Sequence, residues 1–292
     1  MYGRIIFISL VFGTIQSKKH LRIIGGRDAE ENEYPYVARV EILRITDDKV
    51  RRIHICTSGV ITPVWTVTAA HCFQDIIELI QMRRNTKSRQ IVRTRDIKPV
   101  IWFGNVAGEP SKDTYRDIVD TVLHPSAKCS RSSILVFVCQ NDIGLFRTDP
   151  ISINQYAKLS ALDAVSLKGQ EVELVGYGIT NVNGEVDDTL AFKKPLQVLK
   201  AMVKSCADDV FMSPALCLAR ACGQSSTMCP GDSGGPVLHP SGVVAINSMA
   251  FISDCFVSSE KDRSHVVGQL TPISSYIDWI CDVTNDNKTS RA

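Results

Sequence analysis

The chain has 292 residues, 44% of them apolar, enough for one large β-domain or two lobes of ordinary size; this excludes a disordered protein. Its 33 basic and 31 acidic residues nearly balance. Arg4, Lys18, Lys19 and Arg22 precede Ile23 with no acidic residue among them, so their removal leaves 29 against 31, a net charge near −2 that gives no case for nucleic-acid binding.

Residues 1–17 read as a secretory signal peptide, with Arg4 as a short positive region, an apolar run from Ile5 to Ile15 and a small residue, Ser17, near the cleavage point. That run is too short to cross a bilayer and no later stretch reaches about 20 apolar residues, so a secreted, extracellular chain without a membrane anchor is expected. Ten cysteines behind such a leader imply structural disulfides in an oxidising compartment.

Residues 18–22 form a short basic segment before Ile23-Ile24-Gly25-Gly26. Tyr36–Ile45 and Ile53–Thr68 are predicted strands, with Asp47-Asp48-Lys49 as a turn. Thr68-Ala69-Ala70-His71-Cys72 then sets a histidine among small residues, beside a cysteine able to pin the backbone. From Leu79 to Lys98 the residues Arg83, Arg84, Lys87, Arg89, Arg93, Arg95 and Lys98 gather against Asp96 alone. This is either a solvated insertion or a docking site for an anionic protein surface or polysaccharide.

Ile101–Gly104, Arg116–Leu123 and Ile134–Phe146 complete the strands of a first lobe. His124 lacks the setting of His71 and reads as a surface or packing residue. Asn141-Asp142-Ile143-Gly144-Leu145 places a carboxylate beside an apolar run. Thr148–Gly169 carries the connection to a second lobe, whose strands are predicted at 172–178, Leu196–Val203, Val237–Ser248 and Val266–Leu270. Pro272–Val283 presents Ile273, Ile277 and Ile280 as one helical face. Residues 284–292 are a polar tail with a glycosylation sequon at Asn287. The six histidines form no metal-ligand pattern, so no metal or cofactor is expected.

Gly231-Asp232-Ser233-Gly234-Gly235-Pro236 has the residues of a tight turn that exposes a serine hydroxyl and collects backbone N–H groups. A serine hydroxyl is a weak nucleophile in water and needs a base, itself oriented by a third group. His71, Asp142 and Ser233 supply that constellation in chain order.

IIGG at 23–26, TAAHC at 68–72, DIGL at 142–145 and GDSGGP at 231–236 closely resemble the chymotrypsin and trypsin family of secreted serine endopeptidases, over about residues 23–281. The resemblance implies an all-β fold of two six-stranded antiparallel Greek-key β-barrels with a C-terminal helix, a protease domain at 23–283 divided into lobes of about 23–150 and 151–283. It implies His71 as base, Asp142 as its orienting carboxylate and Ser233 as nucleophile, with the N–H groups of Gly231 and Ser233 as oxyanion hole. It also implies a zymogen cut after Arg22 by a trypsin-like protease, the new Ile23 ammonium inserting beside Asp232.

Cys56–Cys72, Cys206–Cys217 and Cys229–Cys255 follow as bridges, and the spacing of Cys129 and Cys139 suits a staple before Asp142. Cys222 and Cys281 are left to pair with each other, or to be free or intermolecular. A further bridge usual in the family is missing at both ends, where Val172 and His239 stand. The residue six before Ser233 is the neutral Thr227 where trypsin-like members carry aspartate. With Met228, Ser248, Met249, Ala250 and Gly268 as walls, a pocket for apolar side chains is expected. Thr57 replaces a usual glycine and is expected to narrow the leaving-group side. Protein or peptide substrates and protein inhibitors are the implied partners. A catalytically silent homologue acting as an extracellular binding protein is the alternative.

Overall fold

The predicted runs of β-branched residues become strands, and the strands sort into two closed rings in the computed structural model. It describes residues 26–45, 50–74, 76, 97–104, 113–133, 136–178, 195–206, 214–220, 226–250 and 266–286. The first barrel takes β2 (Val37–Ile45), β3 (Val50–Thr62), β4 (Trp65–Thr68), β5 (Ile97–Trp102), β6 (Tyr115–Leu123) and β9 (Gly144–Thr148), in ring order β2-β3-β4-β9-β6-β5. A hairpin of β7 (Lys128–Ser133) and β8 (Val136–Gln140) stands apart from it.

The second barrel is built from β10 (Glu171–Gly176), β11 (Gln197–Lys204), β12 (Leu216–Ala219), β13 (Pro236–His239), β14 (Gly242–Met249) and β15 (Val266–Pro272). Its order is β11-β10-β13-β14-β15-β12; pairing of β11 with β12 closes the ring, and β1 (Arg27–Asp28) adds to the outside of β11. Counted in chain order, both rings close as 1-2-3-6-5-4, with antiparallel neighbours throughout. Closure leaves no open edge, and inward-facing apolar side chains fill each interior.

Burial follows the pleat. In β11, Lys200 and Met202 point out while Val198, Leu199, Ala201 and Val203 are buried. The first core centres on Val40, Val60, Val67, Ile101, Ile143 and Leu145, the second on Leu174, Leu199, Leu218, Val237, Val244 and Val267. A 3-10 turn at Ile273–Tyr276 and the C-terminal helix Ile277–Asn285 seat Ile273 and Ile280 against the first of these cores.

Three predicted strands prove longer than the observed ones, each cut by a turn. Ile53–Thr68 breaks after Thr62, where Pro63 cannot donate to a ladder and the Thr62 hydroxyl accepts the N–H groups of Val64 (3.4 Å) and Trp65 (3.1 Å). Ile134–Phe146 breaks at Asn141, whose φ of 50° suits a turn and not a strand. Val237–Ser248 folds back between His239 and Gly242 into β13 and β14. The basic stretch also ends earlier than expected: Lys98 lies in β5 and ion-pairs with Asp117 at 2.6 Å, while the six arginine and lysine residues from Arg83 to Arg95 lie outside the described residues.

Cys56–Cys72, Cys129–Cys139 and Cys206–Cys217 are bonded. Cys229 is also disulfide-bonded; Cys255, its expected partner, lies outside the described residues, as do Cys222 and Asn287. Cys281 is free and exposed, which corrects the Cys222–Cys281 option. Ile280 faces the core, and the next helical position turns about 100° toward solvent.

Phe146 in β9 stacks on Phe73 with ring centroids 4.2 Å apart, beneath the turn that carries His71. Phe146→Ala should therefore cost about 3–5 kcal/mol. Denaturant unfolding checks this: the midpoint should fall with an unchanged slope.

Candidate active site

His71 opens a helical turn at residues 71–74, directly after β4. Ala69 and Ala70 are buried and leave room for close packing, while the bridge from Cys72 to Cys56 ties the turn to β3. Asp142 follows the tight turn at Asn141 and is 1% exposed. Its Oδ1 accepts the His71 backbone N–H at 2.9 Å and its Oδ2 faces His71 Nδ1 at 2.9 Å. The Ser248 hydroxyl, from β14, donates to the same Oδ2 at 2.5 Å.

Burial alone pushes the Asp142 carboxyl up; attraction to His71 and the hydrogen bonds from His71 and Ser248 outweigh it and hold the group below the usual carboxylate range. Asp142 is thus an anion, and an anion at Nδ1 keeps the proton on that nitrogen. The lone pair of the ring then sits on Nε2.

Ser233 is half-buried at the mouth of the turn between the barrels, its hydroxyl donating to Ser248 O at 3.4 Å. Ser248 therefore touches both Asp142 and Ser233, whereas the sequence reading made it a pocket wall. Within the turn, the N–H groups of Asp232, Gly234 and Gly235 donate to Cys229, Asn247 and Asp232 carbonyls at 3.0, 2.6 and 3.1 Å. Among the described residues, those of Gly231 and Ser233 have no acceptor. Gly231 adopts φ +96°, a region that a side chain would strain. The Gly231 carbonyl contacts the Thr57 hydroxyl at 2.8 Å and His54 Nε2 at 3.1 Å.

Asp232 points the other way. Its carboxylate is fully buried and accepts the N–H groups of Gly178 (2.8 Å) and Cys229 (2.9 Å). A methyl on Gly176 or Gly178 would overlap it. Arg22 and Ile23 lie outside the described residues.

Thr227 is buried to 0% exposure, with its hydroxyl on Met228 O at 3.4 Å. Met228 is buried too, and its sulfur lies where a methyl on Gly268 would sit, beside the Met249 carbonyl. Met249 and Ala250 are half-buried at the end of β14. His124 packs edge-on against Tyr276 and Trp279, with centroids 5.0 Å from each, and burial lowers its pKa. It takes the packing role expected of it. The sulfurs near His71 belong to the Cys56–Cys72 and Cys129–Cys139 bridges, so they are not thiolate ligands for a metal.

Sequence reasoning missed the Ser248 link and the His54 and Thr57 contacts. It also missed buried Arg39, whose guanidinium lies over the rings of Trp102 (5.2 Å) and Tyr177 (4.3 Å), near Glu41 at 3.8 Å. Alternation in β2 would have marked Arg39 and Glu41 as outward residues; Tyr177 of the second barrel lies over Arg39, and Glu41 is flanked by Arg39 and Arg52.

Because the folded-state pKa of Asp142 is depressed, its stabilising contribution is complete above the unfolded carboxyl value near pH 4 and is lost as pH falls through the lower folded value. Asp142→Asn should flatten the acid limb of unfolding free energy against pH, read from denaturant midpoints measured down that limb.

The family model described as Trypsin matches residues 23–280. A trypsin from Phaedon cochleariae is 26% identical over 278 residues, covering 92% of this chain and 91% of its own length. Chymotrypsin-like elastase family member 1 of Canis lupus familiaris is 25% identical over 278 residues, covering 91% and 93%. Granzyme M of Homo sapiens is 26% identical over 271 residues, covering 90% and 89%. Among the described residues no helix is long and apolar enough to cross a membrane. With two closed six-stranded antiparallel barrels and a family match over residues 23–280, the chain belongs to the trypsin family of serine proteases.

Proposed function

We propose that the chain is a secreted serine endopeptidase, made as a zymogen, that hydrolyses peptide bonds through an acyl-enzyme on Ser233. The observation that carries this reading is the buried Asp142 carboxylate on His71 Nδ1, 2.9 Å away, beside a turn whose Gly231 and Ser233 N–H groups have no acceptor among the described residues. Ser233 Oγ attacks the scissile carbonyl carbon while His71 Nε2 takes its proton. The carbonyl oxygen becomes an anion and receives the two N–H groups, where loss of one donor typically costs about 3 kcal/mol. His71 then protonates the leaving amine. Water, deprotonated by His71, attacks the ester carbonyl and releases Ser233.

Cleavage after Arg22 by a trypsin-like protease frees the Ile23 amine. Its partner is Asp232, a buried carboxylate in the turn that also carries the two N–H groups, and their pairing orders that turn. Neutral Thr227 at the pocket base and Met228 against Gly268 support a shallow, apolar primary pocket. A buried lysine or arginine of the substrate would have no carboxylate from Thr227 to meet it. Apolar side chains of small to medium size fit this environment.

Cleaving the purified chain at Arg22 and profiling its cuts in a mixed peptide library tests the reading. Cuts after small and medium apolar residues are expected. Dominant cuts after Lys or Arg would refute the neutral pocket, and a folded, processed chain that cuts nothing would favour the silent binding homologue. Met228→Ala should shift preference toward larger apolar or aromatic residues. A pocket wall of this kind shifts such ratios by about 10- to 200-fold per methylene-scale change, seen in kcat/KM for paired substrates.

A further inference from the structure

Thr57 is fully buried in β3, and its side chain does not border the leaving-group side as expected. It turns into the seam between the barrels. Its hydroxyl accepts the Tyr177 N–H at 3.1 Å and donates to Gly231 O at 2.8 Å. Neither direction is ambiguous, since a peptide N–H only donates and a carbonyl only accepts. The Thr57 backbone N–H also donates to Ser233 O at 2.8 Å.

These contacts fall on alternate peptide units of one loop. The unit between Gly231 and Asp232 is held by the Thr57 hydroxyl, and the unit between Ser233 and Gly234 by the Thr57 N–H. The Ser233 N–H belongs to the one unit between these two, and the Gly231 N–H to the unit just before the first. Pinning the two planes restricts the plane between them and the plane that leads into them. The anchor itself is rigid: the buried Tyr177 ring lies 4.3 Å from the Arg39 guanidinium, which also reaches Trp102.

We propose that Thr57 is a positioning residue of the oxyanion-binding loop, its hydroxyl locking the Gly231 carbonyl to the Tyr177 N–H of the second barrel so that the Gly231 and Ser233 N–H groups are preset for the developing anion. The inference rests on the hydrolase reading above. At this position the family pattern has glycine, so the lock is a property of this chain's own side chain. Donors fixed before the reaction need no reorganisation as charge develops, and that saving appears in the transition state alone.

Thr57→Val keeps the shape and removes the hydroxyl. In the chain cleaved at Arg22, kcat on a peptide substrate should fall about tenfold, the equivalent of one hydrogen bond, with KM unchanged. A peptide boronic acid, whose boron takes up Ser233 Oγ to place an oxygen in the same site, should bind weaker by the same factor, and Thr57→Ser should restore most of both. If the valine variant does not fold, Thr57→Gly carries the test, because it removes the hydroxyl without adding a methyl. Wild-type kcat in the folded variant, or a loss confined to KM, would overturn this inference alone. A processed wild-type chain without turnover would overturn the hydrolase reading and this inference with it.

Discussion

Everything at the centre of this molecule depends on keeping one carboxylate ionised where water does not reach. Asp142 is 1% exposed, and leaving such an anion uncompensated would cost several kcal/mol. Three donors offset that cost: the His71 N–H, the His71 ring and the Ser248 hydroxyl. The first two come from the turn after β4 in the first barrel, the third from β14 in the second. Asp142 is therefore fully satisfied only when the barrels are docked, and docking also brings Ser233 to the same place. Stability and site geometry share one set of bonds.

The seam extends that coupling. Thr57 N–H on Ser233 O, Thr68 Oγ1 on Thr57 O and the close approach of Gly59 to Pro236 run along β3 and into the serine turn. Arg39 caps one end, its guanidinium held between Trp102 and Tyr177 while burial lowers its pKa. Glu41, bonded to Arg52 at 2.6 Å, keeps compensating charge nearby. The strand pairs set where the serine turn sits; side chains across the seam set how its peptides are oriented.

Local chemistry made much of this readable. Small residues around His71, the turn-forming glycines around Ser233 and the β-branched runs each carry their own physical signature, while the two barrels were implied by the family resemblance of four ordered motifs. Merged strands were harder. Thr62-Pro63 interrupts an apolar run without the cluster of polar residues that usually marks a turn, whereas Gln140-Asn141-Asp142 is such a cluster, set between two apolar runs that read as one strand. Contacts made across the seam were not legible at all: nothing near Ser248 in the chain indicates that its hydroxyl meets Asp142, 106 residues away, and β2 alternation argues against burying Arg39. Cys281 shows the converse, since a cysteine count suggests a partner while helical phase turns the thiol to solvent.

The claim that the Asp142 anion organises His71 for proton transfer is tested most directly by the rate at which a fluorophosphonate labels Ser233 in chain cleaved at Arg22, compared between wild type and Asp142→Asn. The account predicts labelling of Ser233 that slows by about 10⁴-fold in the asparagine variant, in which the ring is held in the wrong tautomer although the fold persists. Equal rates in the two proteins, or no labelling of folded, processed wild type, would contradict it.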